Sequence, residues 1–282
     1  AELTAPAFRE QAVSLVLAGG LLGAVAGPNL ASGTRNLFPV PFAGAYLALM
    51  LVALLAMVCM AGVHFESLPA PAPGAAAPPA GRPVSALLRQ PAFAVAMLGA
   101  ALGYGVMNLL MAATPLAMQV CGFGFDAAAL VLEWHVIGMF APGFFTGHLI
   151  KRMGTLPVML LGVLLNLACV GIALSGQEIA HFTAAQQFLL ALFLLGVGWN
   201  FLFTGSTTLA ITAYRPEEKD RAQGAINFFV FATMAGTSLA SGALVTTSGW
   251  NWLNLASLPP LLLTGGALLW LMARQRGVPQ PG

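Results

Sequence analysis

The sequence predicts an all-α fold, a polytopic transmembrane helical bundle of eight spans. Three observations predict it. Eight apolar runs of about 20 residues or more match the length a helix needs to cross a hydrocarbon core ~30 Å thick. Hydrophobic residues make up 59% of the 282 and charged residues only 7%, against about 25% charged in a soluble domain. The charges that remain gather in the short loops between the runs. Backbone polar groups find no water in lipid, so such runs must be helices. A net charge of +2 with no basic block argues against a nucleic-acid partner.

The first span covers residues 9–30 and the second 41–63. In the first, Gly19, Gly23 and Gly27 recur every four residues and so share one helix face. Small residues at that spacing let backbones approach in a membrane, for gating or for plain packing. Pro28 weakens the turn that follows. Residues 64–90 then hold Pro69, Pro71, Pro73, Pro78, Pro79 and Pro83 among alanines. Proline removes a donor and clashes inside a helix, so this stretch is expected to be a flexible, non-helical connector.

The third span, 91–120, carries Tyr104, Asn108, Met111 and Pro115 on one stripe, while Gly99 and Gly103 read as packing residues. The fourth, 126–150, carries Glu133 and His135. An ionisable group at depth costs ~2.5–3.5 kcal/mol on insertion scales, so keeping one needs a reason. Glu133 lies ~10 Å along the helix from its outer end at 1.5 Å per residue, where a carboxyl could load and unload a coupling proton. His135, two residues on, points ~200° away from it. The fifth span is 156–175 and the sixth 184–213, with Gly196, Asn200, Phe203 or Thr204, and Thr207 on one stripe. The seventh, 221–247, offers Asn227 and Thr233, and the eighth runs 252–273. The polar residues Tyr104, Asn108, Asn200 and Asn227 are candidate solute contacts; interhelical hydrogen bonding is the alternative for each asparagine.

Basic residues orient the chain. Arg9, Arg82, Arg89, Lys151, Arg152, Arg215, Lys219, Arg221, Arg274 and Arg276 fall on one side, and Arg35 alone on the other. By the positive-inside rule the richer side is cytoplasmic, which places both termini and the 64–90 segment there. Trp250 and Trp252 suit an outer interface. The expected division is residues 1–63, a connector at 64–90, and a six-helix unit at 91–282. The chain opens on Ala1, not Met, and is expected to begin inside a longer protein.

Several chemistries find no support. Cys59, Cys121 and Cys169 form no CxxC pair and read as small hydrophobes. There is no GxxxxGK[ST] loop for ATP, no HExxH zinc motif and no GxSxG elbow. No metal and no cofactor is expected, and an enzyme is the least favoured class. The classes left open are a transporter of a small-molecule solute and a non-transporting membrane sensor or assembly partner.

Two spans six apart look alike. The first and the seventh both begin at an arginine, Arg9 and Arg221, and both are rich in Gly, Ala and Ser. Gly19, Gly23, Gly27 and Pro28 resemble the glycine-proline motif of the fifth helix in the major facilitator superfamily. The run Gly147-His148-Leu149-Ile150-Lys151-Arg152-Met153-Gly154 resembles that family's loop between helices eight and nine. Lys151 stands where an acidic residue is usual. Gly249-Trp250-Asn251-Trp252 resembles the start of the last helix. The resemblance implies helices five to twelve, with the C-terminal six-helix half complete and the N-terminal half truncated. It implies secondary transport of a solute, proton coupling, a bacterial inner membrane, lipid contact and a monomer when full length. It also makes the third and sixth spans cavity-lining helices. Finally, Trp134 to Pro142 with Phe144-Phe145-Thr146-Gly147 resembles a group of bacterial permeases, some of them assigned to riboflavin uptake.

Overall fold

The computed structural model describes residues 9–63, 81–175 and 183–276. Among them the regular structure is helical, in two compact units, residues 1–79 and 80–282. The first unit is a helical hairpin of α1 (Arg9–Thr34) and α2 (Ala43–Ala61). α1 runs through Pro28 without ending there. Phe42 turns the chain with a left-handed backbone, φ 64°. Gly44 then lets α2 start against the Thr34 carbonyl, where any side chain would collide.

The second unit begins with a short helix, α3 (Val84–Leu88), inside the stretch expected to be a flexible connector. Its Leu87 is fully buried with Phe93, Ala222 and Ile226, and that burial is what orders it. The proline-rich remainder, 64–80, lies outside the described residues. α4 (Pro91–Val120) follows, with proline in its first turn, where no donor is lost.

The span expected at 126–150 is two helices, α5 (Phe125–Phe140) and α6 (Gly143–Met153), set at 42° to each other. Pro142 causes the break: it has no N–H for the Gly138 carbonyl, and its ring crowds the turn before it. Gly154, at φ 91°, ends α6 and starts α7 (Thr155–Leu174), a backbone conformation that only glycine adopts easily. α8 (Ala184–Ile211) opens with a capping box between Thr183 and Gln186. A 3-10 turn, Pro216–Glu218, leads into α9 (Lys219–Thr247). The last expected span is also broken, into α10 (Gly249–Ala256) and α11 (Leu258–Arg276). Pro259 and Pro260 leave the Leu255 and Ala256 carbonyls without helical donors there.

α4 and α8 form the centre of the second unit. α8 packs against α4, α5 and α7, and α4 packs against α9 and α11. The core lies in two layers along the bundle. One joins Leu110, Met118, Leu192, Leu195 and Leu253; the other joins Phe93, Met159, Leu202, Ala222 and Leu268. The outer surface stays apolar, with Leu164, Leu239, Leu262, Leu263 and Trp270 exposed. In water such patches would drive association; facing lipid tails they cost nothing. Six helices among the described residues are long and apolar enough to cross a membrane, seven if the bent α5–α6 pair is one crossing. The chain is an integral membrane protein. The expected eight crossings differ from this set by α1, which stands outside it.

Candidate substrate site

The site grows from three glycines on α4. A Cβ on Gly99 would meet the Ser206 hydroxyl, and one on Gly103 would meet Leu202, both on α8. A Cβ on Gly105 would meet Thr233 on α9. Residues 103 and 105 point ~200° apart, so α8 and α9 flank α4 on opposite sides. Tyr104 points between them and is half-buried.

There Tyr104 meets two aromatic rings of α8. Trp199 and Phe203, one turn apart, are stacked with centroids 5.1 Å apart and 7° between planes. Tyr104 stands edge-on to both, at 5.1 Å and 89° from Trp199 and at 5.6 Å and 85° from Phe203. Both arrangements suit the ring quadrupoles. Trp199 is buried, while Phe203 is half-buried and Thr207 on the next turn is exposed. The stack therefore ends in a ring that is only partly covered.

The structure puts Asn108 and Asn200 to work between helices. Asn108 Nδ2 donates to the Met234 carbonyl at 3.2 Å, Thr237 Oγ1 at 3.0 Å and Ser238 Oγ at 2.9 Å, tying α4 to α9. Asn200 holds the α5–α6 break. Its Nδ2 donates to the Met139 carbonyl at 2.7 Å, and its Oδ1 accepts from Thr146 Oγ1 at 2.7 Å. Partners thus lie on both sides of Pro142, and a carbonyl at the broken turn is satisfied from the neighbouring helix, as backbone in lipid requires. Of the two interpretations open from sequence, these contacts are the interhelical one.

α5 meets α8 through glycines. A Cβ on Gly196 would run into the His135 carbonyl, and one on Gly138 would come within 2.7 Å of the Phe193 carbonyl. At that crossing His135 is fully buried, and its Nδ1 lies 2.7 Å from the Leu192 carbonyl. A carbonyl only accepts, so Nδ1 carries the proton and the ring bonds α5 to α8. Glu133 is half-buried on another face of α5. Trp134 is exposed beside Phe193.

The remaining candidates are scattered. Asn227 is exposed on α9. Gly19, Gly23 and Gly27 are exposed on α1, and a Cβ on any of them would meet no atom within 4 Å; Pro28 is half-buried. Gly147, Lys151, Arg152 and Gly154 are exposed around the end of α6. Sequence reasoning missed Trp199, Thr146 and the Thr237 and Ser238 hydroxyls of α9 that Asn108 meets. Trp199 sits four residues before Phe203, a spacing that signals a shared face. It also left out Asn166 of α7, which is fully buried against Gly198 of α8. Among the described residues no group of three or more His, Cys, Asp or Glu side chains could hold a metal ion.

Close helix contacts at glycine and a broken helix are features that membrane transporters share. Comparison with known proteins decides the family. The family model for the Major Facilitator Superfamily matches residues 1–228 and 134–282. The chain belongs to the Major Facilitator Superfamily. Over 262 residues it is 37% identical to a riboflavin transporter, RfnT, of Brucella anthropi, a match covering 91% of this chain and 63% of that protein. Two uncharacterized MFS-type transporters of Bacillus subtilis also match. YddS is 28% identical over 169 residues and YdeG 30% over 173, each covering 60% of this chain and 38% of the relative. The chain thus spans from about two fifths to just under two thirds of the relatives' lengths. No solved structure matches it.

Proposed function

We propose that this facilitator chain serves secondary active transport of a planar aromatic solute of the riboflavin class, by alternating access. The carrying observation is the Trp199–Phe203 stack with Tyr104 edge-on to it, half-open at Phe203. A flat heterocycle laid against Phe203 would lengthen that stack, and the Tyr104 ring would bound it on one side. Riboflavin has such a ring system, and the 37% identical relative is a riboflavin transporter by name.

In this reading the chain crosses the bacterial inner membrane eight times with both termini cytoplasmic. Basic asymmetry supports the orientation. Residues 64–90 join the end of one half to residues 91–282, the other half, and the full-length protein works as a monomer. Glu133 carries the coupling proton, as the one acidic residue set well inside a span. Asn108 and Asn200 serve transport by holding the walls that move, α9 and the α5–α6 break.

The test is a solute screen with the full-length protein in proteoliposomes, with and without a proton gradient. Accumulation of riboflavin under an inward proton gradient, competed by flat flavin analogues and not by sugars or amino acids, supports the reading. Uptake confined to non-aromatic solutes overturns it.

A further inference from the structure

Among the described residues a dense polar cluster lies away from the aromatic site, at the end that charge assigns to the cytoplasm. Glu218, in the turn before α9, has a fully buried side chain. Arg82 grips it as a fork: Nε donates to Oε1 at 2.7 Å and Nη2 to Oε2 at 2.7 Å. The Arg82 backbone N–H also donates to Oε1 at 2.8 Å, and that of Arg215 to Oε2 at 2.9 Å. Arg82 Nη2 further reaches the Ala213 carbonyl at 3.3 Å. Arg221, in the first turn of α9, closes the cluster from the other side. Its Nη1 donates to the carbonyls of Gly81 and Arg82, each at 2.6 Å. A Cβ on Gly81 would come within 2.7 Å of Glu218 Cγ, so glycine alone fits there.

This is more than a surface ion pair, which is worth little. The carboxylate is buried, bound by a bidentate guanidinium and by two backbone N–H groups, the geometry in which removing one partner is costly. Its effect is topological. The chain arriving from residue 80 is fastened to the start of α9 before it reaches α4. α3 follows at once with Leu87 in the core. α9 in turn is bonded near its middle to Asn108 of α4, one turn from Tyr104. One helix thus carries the fastening at one end and, at its centre, the bonds to the α4 segment that bears Tyr104.

We propose that the Arg82–Glu218–Arg221 cluster is a clasp that fixes residues 81–82 to the start of α9, and that the conformational step of transport needs the clasp closed. The inference rests on the transport reading for its functional half. It predicts an effect on turnover and not on solute affinity, because no clasp residue belongs to the aromatic site.

The experiment compares full-length wild type with Glu218→Gln and, because a buried site tolerates change poorly, with Arg82→Gln, whose side chain is partly exposed. Hydrogen exchange reads the clasp itself. Amides of Arg82 and Arg215 should exchange about 10-fold faster or more in Glu218→Gln once their acceptor is weakened. Riboflavin uptake reads the function. Maximal rate should fall about fivefold or more with KM within about twofold, the pattern of a lost conformational step and not of lost binding. Unchanged exchange at Arg82 overturns the clasp. Faster exchange with unchanged turnover, or a KM that moves with the rate, overturns its role in the step. If wild type moves no flavin, the transport reading fails by itself. The clasp is then judged by labelling Asn227→Cys on the exposed face of α9, where Glu218→Gln must change the labelling rate; an unchanged rate overturns it.

Discussion

At the residue scale, the polar positions were readable and their partners were not. Asn108 and Asn200 stand out in apolar helices because an amide in lipid needs partners. Nothing in their spacing says that one reaches Ser238, 130 residues away, or that the other reaches the Met139 carbonyl 61 residues before it. Trp199 was overlooked because an aromatic among leucines carries no polar signal; its worth lies in being parallel to Phe203. Replacing Trp199 with leucine keeps bulk and removes the inner ring of the stack. An aromatic pair is worth about 0.5–1.5 kcal/mol beyond its area. Trp199→Leu should therefore raise KM for a flavin about 3- to 10-fold at unchanged membrane abundance, read by initial uptake rates. Glu133 makes the second prediction at this scale. A single coupling carboxyl must load and unload with conformation, so its neutral mimic should cut the link to the gradient. Glu133→Gln should lose gradient-driven accumulation and keep counterflow exchange. Wild-type accumulation with an unchanged pH profile would make Glu133 structural.

At the element scale, the order of the long helices was legible, because a 20-residue apolar run has one stable form in lipid; six such helices, or seven with the bent pair, stand among the described residues against the eight spans expected. The breaks were less so. Pro142 and the pair Pro259–Pro260 lie within runs that hydropathy reads as continuous, yet each leaves carbonyls without donors. Whether such a proline bends a helix depends on what its neighbours supply. At Pro142 the neighbour is Asn200 with Thr146. The short α3 was also hidden, because proline-rich composition masked Leu87, whose burial requires the rest of the core. Asn200→Leu should test the staple. It removes two interhelical hydrogen bonds and strands the Met139 carbonyl, a loss of about 1–2 kcal/mol. Thermal unfolding in detergent should shift down, and hydrogen exchange across residues 139–146 should rise while α4 stays protected. Unchanged exchange there would show that Pro142 alone sets the bend.

At the scale of the whole molecule, charge told most and contact told least. The ten-to-one basic asymmetry is what supports the proposed orientation, with the lysine- and arginine-rich side in the cytoplasm. The clasp was invisible from sequence because Arg82 and Glu218 are 136 residues apart and each reads alone as a loop charge. Topology predicts that Ala75→Cys is labelled by an impermeant thiol reagent only after the membrane is opened; labelling in intact cells would reverse the orientation. The central claim is that this facilitator chain moves a flat aromatic solute across a membrane by way of the stack that ends at Phe203. It is tested most directly by riboflavin uptake into proteoliposomes holding the full-length protein, wild type beside Phe203→Ala and Phe203→Trp. Saturable uptake should appear in wild type, with KM raised about 5- to 10-fold in Phe203→Ala and restored toward wild type in Phe203→Trp. Flavin uptake indifferent to both substitutions, or no flavin uptake by a folded wild type that moves another solute, would contradict the account.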